Sequence, residues 1–193
     1  MRRIVLASAS PQRKKILQAA GYSFIVQPSH VPEPDPARIN YKRARKLVAT
    51  LAQKKALHIA KKYHGQDYFI LGADTLVVAQ KKILGKPKDI RDAKKMLALI
   101  SGSWQRVLTG ICLLRARDLK MKTLCQSTSL RLKKMDAKTI ARLARKNLDK
   151  SASYAVQDIR DQFLDTIVGD LDNVIGLPMR AVAKLCKEMD YGF

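Results

Sequence analysis

Within six positions, Ser8-Ala9-Ser10-Pro11-Gln12-Arg13 sets two hydroxyls, an amide and a guanidinium where a short β-branched run ends and a proline restarts the chain. The first N–H groups of a helix carry partial positive charge, so a helix beginning at Pro11 offers an anion a seat, with Ser8, Ser10 and Arg13 as further donors. A serine-capped helix with a surface arginine has the same sequence, and this stretch alone leaves both readings open. In "GADT", Asp74 interrupts an apolar run, where a lone carboxylate is costly to desolvate. It must lie at a sheet end facing a cleft, pair with a cation, or cap a turn. Gly72 permits close approach of another backbone, and Thr75 puts a hydroxyl beside the carboxylate. Lys86, between Gly85 and Pro87, is held by a loop of little freedom, and Lys55 follows Ala52 on a helical stretch whose inner face continues with Ala56 and Ile59. Either lysine could be a plain surface amine. The histidines are His30, His58 and His64, so the C-terminal two thirds lack an imidazole for a triad or a zinc cage. Carboxylates, lysines, arginines or metal-bound water would have to carry any catalysis.

Those residues need elements to hold them. "RIVLAS", "PQRKKILQAAG" and "YSFIVQP" read as strand, helix, strand, with proline in the first turn and glycine at the stop. The four prolines of "PSHVPEPDPARIN" make a loop, and residues 41–62 are helical in composition and spacing. "DYFILGADTLVVAQ" reads as two buried strands joined at a polar break, and "KKILGKPKD" as a turn. Asp89 can cap a helix whose Ala93, Met96, Leu97 and Ile100 form one apolar stripe, closed by Gly102. Two long strands follow in "RVLTGICLLRA" and "KTLCQSTSLRL", then a helix over "DAKTIARLARKN", and Pro178 begins a last helix. This order predicts a mixed α/β fold.

The chain has 193 residues, 47% of them hydrophobic and 28% charged, which suits one folded unit with a substantial core. No window is apolar for long enough to cross a bilayer, and the N-terminal apolar run is too short for a secretory signal, so a cytoplasmic protein is expected. Cys112, Cys125 and Cys186 form no CxxC pair and read as reduced thiols. The net charge of +22 admits nucleic-acid binding, yet the basic residues are dispersed and not interleaved with stacking aromatics, so a solvated basic surface explains them as well. Asp158, Asp161, Asp165, Asp170 and Asp172 form an acidic island that could hold metal, pair with basic helices, or simply be solvated.

Taken together, "LASASPQR", "VPEP", "LAQKKA", "GADTLVV", "ILGKP", "DAKKMLALISG", "VLTG", "SYAVQ" and "NVIGLP" resemble, in order and spacing, the Maf family of nucleotide pyrophosphatases, associated by name with inhibition of septum formation. The resemblance implies an α/β fold, a mixed sheet like that of Maf and inosine triphosphatase, with two lobes around a central cleft in a single domain over 1–193. It implies hydrolysis of a nucleoside triphosphate to the monophosphate and pyrophosphate with a divalent cation, Mg²⁺ or Mn²⁺. Asp74 then matches the catalytic base, and Glu33 with Asp74 the acidic pair that holds metal or activates water. Ser8, Ser10, Arg13, Lys55 and Lys86 match phosphate-facing groups, and Gln12, Thr75 and Gln157 match positions that sort substrates. Thr75 and Gln157 follow the branch acting on dTTP and UTP. Gln12 stands where that branch has arginine and the 7-methyl-GTP branch has tryptophan, so selectivity is broader or shifted; 7-methyl-GTP or broad specificity remain alternatives. Gln105 and Ala152 replace a usual histidine and glycine, and Gln105 is given no catalytic role. The expected partner is a nucleoside triphosphate, with no membrane, no specific nucleic acid, and a homodimer as an assembly the sequence does not fix. The rival from another class is a basic nucleic-acid-binding or regulatory protein with a relic pocket.

Overall fold

The computed structural model describes residues 3–35, 38–146, 148, 152 and 162–191. Its centre is a seven-stranded mixed sheet in the order β2-β1-β3-β5-β6-β7, with β4 on β3. β1 (Arg3–Leu6), α1 (Pro11–Ala19) and β2 (Phe24–Val26) form the expected strand, helix, strand. A proline-rich loop and a 3-10 turn, Tyr41–Arg43, lead into α2 (Ala44–Ala60). β1 runs parallel to β2 and β3, and the remaining pairings are antiparallel.

The expected break at "GADT" is not there: β3 runs unbroken from Tyr68 to Ala79 and pairs with β5 (Trp104–Arg115) in register, Asp74 opposite Gly110. The strand need not stop at Asp74 because the carboxylate meets a lysine from α2. "KKILGKPKD" also differs from a simple turn, since β4 (Lys82–Leu84) folds back on β3 through Gln80 and Lys81, both with positive φ. β6 (Met121–Leu132) completes the second long hairpin. α3 (Ile90–Ile100) is capped by Asp89, whose side chain accepts from the Asp92 amide, and Ala93, Leu97 and Ile100 are its buried stripe. After α4 (Ala137–Lys146) come β7 (Leu164–Val168), the short α5 (Leu171–Ile175) and α6 (Met179–Glu188), N-capped by Pro178.

Alternation along β3 divides the core. Ile70 and its neighbours Val5 and Cys112 pack on Ala52, Ala56 and Ile59 of α2. On the other face, Phe69, Leu71 and Ala73 pack with Leu17 of α1 and Val182 and Leu185 of α6, and further along Val77 and Ala79 pack with α3 and α4. Between these two apolar clusters, at Thr75 and Thr109, lies a hydrogen-bonded polar seam. β3 and β5 run through both clusters.

α2 sits unusually close to the sheet. A Cβ at Gly72 would run into the Ala52 carbonyl, and one at Gly110 into the Val48 carbonyl. Only glycine in two adjacent strands lets the helix backbone approach this near, and that approach sets how deep Lys55 reaches.

Candidate active site

β3 has a gap in its pairing on one edge. Residues 68–71 pair with β1 and 77–79 with β4, while the stretch between them, Gly72 to Leu76, has no strand beside it on that edge among the described residues. Unpaired backbone at a sheet edge demands other partners. Here Arg13 fills the gap, its Nη1 donating to the Ala73 carbonyl at 2.9 Å.

Ser10 caps α1 by accepting from the Arg13 amide, as the sequence suggested. Ser8 Oγ accepts from the Ser10 amide at 3.2 Å and from Arg13 Nη1 at 3.0 Å. Both its lone pairs are thereby filled, so its proton is left to donate to an incoming anion. The Arg13 guanidinium also donates from Nε to the Gly176 carbonyl (2.9 Å) and from Nη2 to Thr75 Oγ1 (3.1 Å). Four of its five N–H directions are thus taken, so the planar fork is fixed in place and, among the described residues, keeps one donor for a ligand.

Lys55 is buried, and its Nζ donates to Asp74 Oδ1 at 2.6 Å and to Glu33 Oε1 at 2.7 Å. The α2 ammonium thus joins the carboxylate of β3 to that of the proline-rich loop. Burial pushes the Asp74 carboxyl above its ordinary range, and the Lys55 bond and charge together with Arg13 only partly offset this; the nearby Glu33 charge adds to the rise. Burial acts on Glu33 in the same direction but is outweighed by the Lys55 bond and charge and by the charges of Lys86 and Arg13, which hold Glu33 below its usual range. Two carboxylates side by side thus part in basicity, Asp74 being the better proton acceptor. Each keeps a second oxygen outside the ion pair, a hard-donor set suited to Mg²⁺ or Mn²⁺. Among the described residues no group of three or more His, Cys, Asp or Glu side chains could hold a metal, so further ligands would be water and substrate oxygens.

Lys86 is exposed, and its charge reaches Glu33. Gln12 is half-buried in the first turn of α1. Gln157 lies outside the described residues, as do Asp158 and Asp161. The rest of the acidic island pairs locally: Asp172 accepts from the Met179 amide at 2.7 Å, Asp165 meets Arg131 and Asp170 meets Arg180. Sequence reasoning missed Thr109, Asn173 and Gly176, which complete the polar seam. Thr109 interrupts an apolar run in "VLTGICLL" as Asp74 does in β3, and that signal was there to be read. A cavity of about 510 Å³ lies elsewhere, on a side of α2 lined by Leu57, His58 and Lys61, and contains none of the candidate residues.

The model of the Maf family, described as Maf-like protein, matches residues 3–189. The chain belongs to the Maf family. A relative in Elusimicrobium minutum called dTTP/UTP pyrophosphatase is 37% identical over 191 residues, covering 99% of this chain and 100% of the relative. Proteins of the same name in Acetivibrio thermocellus and Bacillus thuringiensis are 36% and 38% identical, covering 97% and 98% of this Maf chain and 96% and 97% of their own lengths. The Maf match spans β1 through α6, so it includes every candidate residue named above.

Proposed function

We propose that this protein is a nucleoside triphosphate pyrophosphatase that prefers dTTP and UTP, cleaving between the α and β phosphates to give the monophosphate and pyrophosphate. The observation that carries the reading is the Asp74–Lys55–Glu33 cluster beside the anion-seeking mouth of α1. The first half of the site binds charge: the Ser8 proton, the α1 terminus, the remaining Arg13 donor and Lys86 receive the triphosphate tail. The second half performs the reaction. Asp74, its basicity raised by burial, accepts a proton from water as the water oxygen bonds to phosphorus and the bridging P–O bond breaks. Lys55 fixes the orientation of the acceptor carboxylate through Oδ1.

Glu33 and Asp74 would hold a divalent cation, Mg²⁺ or Mn²⁺, which when bound neutralises charge on the phosphates. Gln12 presents one donor and one acceptor toward a base edge, without the cation that an arginine would stack on it, so discrimination among pyrimidines is expected to be looser. Among the described residues no helix is long and apolar enough to cross a membrane, and three free cysteines suit a reducing cytoplasm.

The test is to incubate purified protein with dTTP, UTP, CTP, GTP and 7-methyl-GTP, with and without Mg²⁺ or Mn²⁺, and measure pyrophosphate. Release is expected with metal present and fastest from dTTP and UTP. No release from any substrate would end the reading.

A further inference from the structure

We propose that Thr109 is a positioning residue for Arg13, acting through a one-way hydrogen-bond chain that ends on the Asn173 carbonyl; the catalytic part of this rests on the pyrophosphatase reading. Thr109 is fully buried in the middle of β5, directly across from Thr75, and so cannot touch a substrate. Its hydroxyl has one proton, and it donates that proton to the Asn173 carbonyl at 3.2 Å, a group that can only accept. In the 3.1 Å contact between the two threonines, Thr109 must therefore accept and Thr75 must donate. With its proton turned inward, Thr75 meets Arg13 Nη2 as a pure acceptor at 3.1 Å. The chain has one polarity: guanidinium to Thr75, Thr75 to Thr109, Thr109 to the backbone of α5.

That terminal carbonyl is itself held. The Asn173 side chain, also fully buried, donates from Nδ2 to the Val107 carbonyl (3.1 Å) and to Thr128 Oγ1 (3.0 Å), and Thr128 donates to the Asp170 carbonyl. α5 is therefore tied to β5 and β6 from beneath. Its far end returns to the same arginine: Gly176, in a left-handed conformation at φ 116°, closes α5 and accepts from Arg13 Nε. A Cβ there would only touch the Thr75 hydroxyl and the guanidinium, so it is the left-handed backbone that favours glycine. One short helix thus fixes Arg13 directly through Gly176 and indirectly through Thr109.

Removing the Thr109 hydroxyl does more than delete one bond. Thr75 loses its acceptor, its proton is left without a partner in the seam, and the hydroxyl is free to rotate its lone pairs away from Nη2. A preorganised fork turns into a mobile one, which costs rate.

The experiment compares Thr109→Val, close in shape but lacking the hydroxyl, with Thr109→Ser, which keeps it. Thr109→Val is expected to lower kcat/KM for dTTP roughly tenfold, the weight of one hydrogen bond to a charged group, and Thr109→Ser to restore most of it. In an Arg13→Lys background the same Thr109→Val change should alter kcat/KM by less than about twofold. Independently of activity, ¹⁵N spectra should show separate, slowly rotating Arg13 Nη groups in the unmodified protein and Thr109→Ser, and averaged ones in Thr109→Val. Equal losses from Thr109→Val with and without the Arg13→Lys change, or Arg13 signals indifferent to Thr109→Val, would each overturn the proposal. If the unmodified protein releases no pyrophosphate, the enzymatic reading fails on its own, and the spectra still decide whether Thr109 holds Arg13.

Discussion

At Asp74, burial and the Lys55 ammonium act on one carboxylate in opposite directions, and burial prevails. In the metal-free protein the Asp74 carboxyl should therefore titrate above the ordinary aspartate value of 3.8. Carboxyl ¹³C shifts followed against pH without divalent metal should show this, and a midpoint at or below the ordinary value would contradict the burial argument. The same shift has a sign for stability. A carboxyl whose folded pKa is raised favours folding below its unfolded pKa, and that contribution is lost as pH rises through the folded value. Glu33, shifted down, contributes in the opposite sense: its stabilisation is present above its unfolded pKa and is lost as pH falls through the folded one. Asp74→Asn is therefore expected to lower turnover by roughly 10² to 10⁴ fold, the loss of a positioned base, while leaving Tm at pH 8 equal to or above that of the unmodified protein. Lys55 keeps Glu33 as its partner in that variant, so no buried charge is orphaned. A large drop in Tm with little change in rate would reverse the assignment. Asp74 was legible because a carboxylate inside an apolar run has few physical excuses, whereas the spacing around Lys55 put Ala52, Ala56 and Ile59 on an inner face and left the amine itself open. Glu33 was legible only through family resemblance, because nothing in a proline-rich loop announces that its carboxylate will meet a lysine of α2.

The elements explain why those three side chains converge. Gly72 and Gly110 lie on neighbouring strands under α2, and each missing Cβ is room that the helix backbone occupies. Gly72→Ala would force α2 outward against backbone carbonyl oxygens that cannot rotate away. The expected cost is at least that of ordinary overpacking, about 1 to 3 kcal/mol in chemical denaturation. Activity should fall by more than the residual folded fraction explains, because Lys55 rides on the displaced helix. Full activity in a folded Gly72→Ala protein would mean that helix depth does not set the ion pair. The sequence pointed to a close approach at Gly72 but put a strand break beside it, and the reason is electrostatic: periodicity registers Asp74 as polar and cannot see the ammonium that makes it tolerable in mid-strand. The β3–β4 hairpin was hidden for a related reason. Its turn uses Gln80 and Lys81 at positive φ, where asparagine or glycine would have advertised it. The helices were easier, since Asp89, Ser10 and Pro178 mark starts by local chemistry that needs no tertiary partner.

Over the whole molecule, a charge of +22 surrounds a site built for a polyanion. Much of it belongs to exposed lysines and arginines spread over α2, the β3–β4 hairpin, α3 and α4, and the acidic residues described near α5 are engaged in caps and ion pairs. Such a field raises the local concentration of triphosphate and speeds encounter, and it also attracts any nucleic acid without reading it. These two consequences separate an enzyme with a basic surface from a dedicated binder. An enzyme should retain duplex or single-stranded DNA in gel shifts at low salt, show no sequence preference, and release it by about 0.15 M, where the screening length is roughly 8 Å. Over the same range its KM for dTTP should rise while kcat changes little, because screening weakens capture and leaves the buried Asp74–Lys55 pair largely untouched. Binding that stays tight at physiological salt, together with a salt-independent KM, would assign the charge to a polynucleotide partner and leave the triphosphate site without help from it. The retained Glu33–Lys55–Asp74 cluster argues for the first outcome: a polyanion binder gains nothing from burying a carboxylate whose ionised form the fold opposes, whereas a hydrolase gains a base.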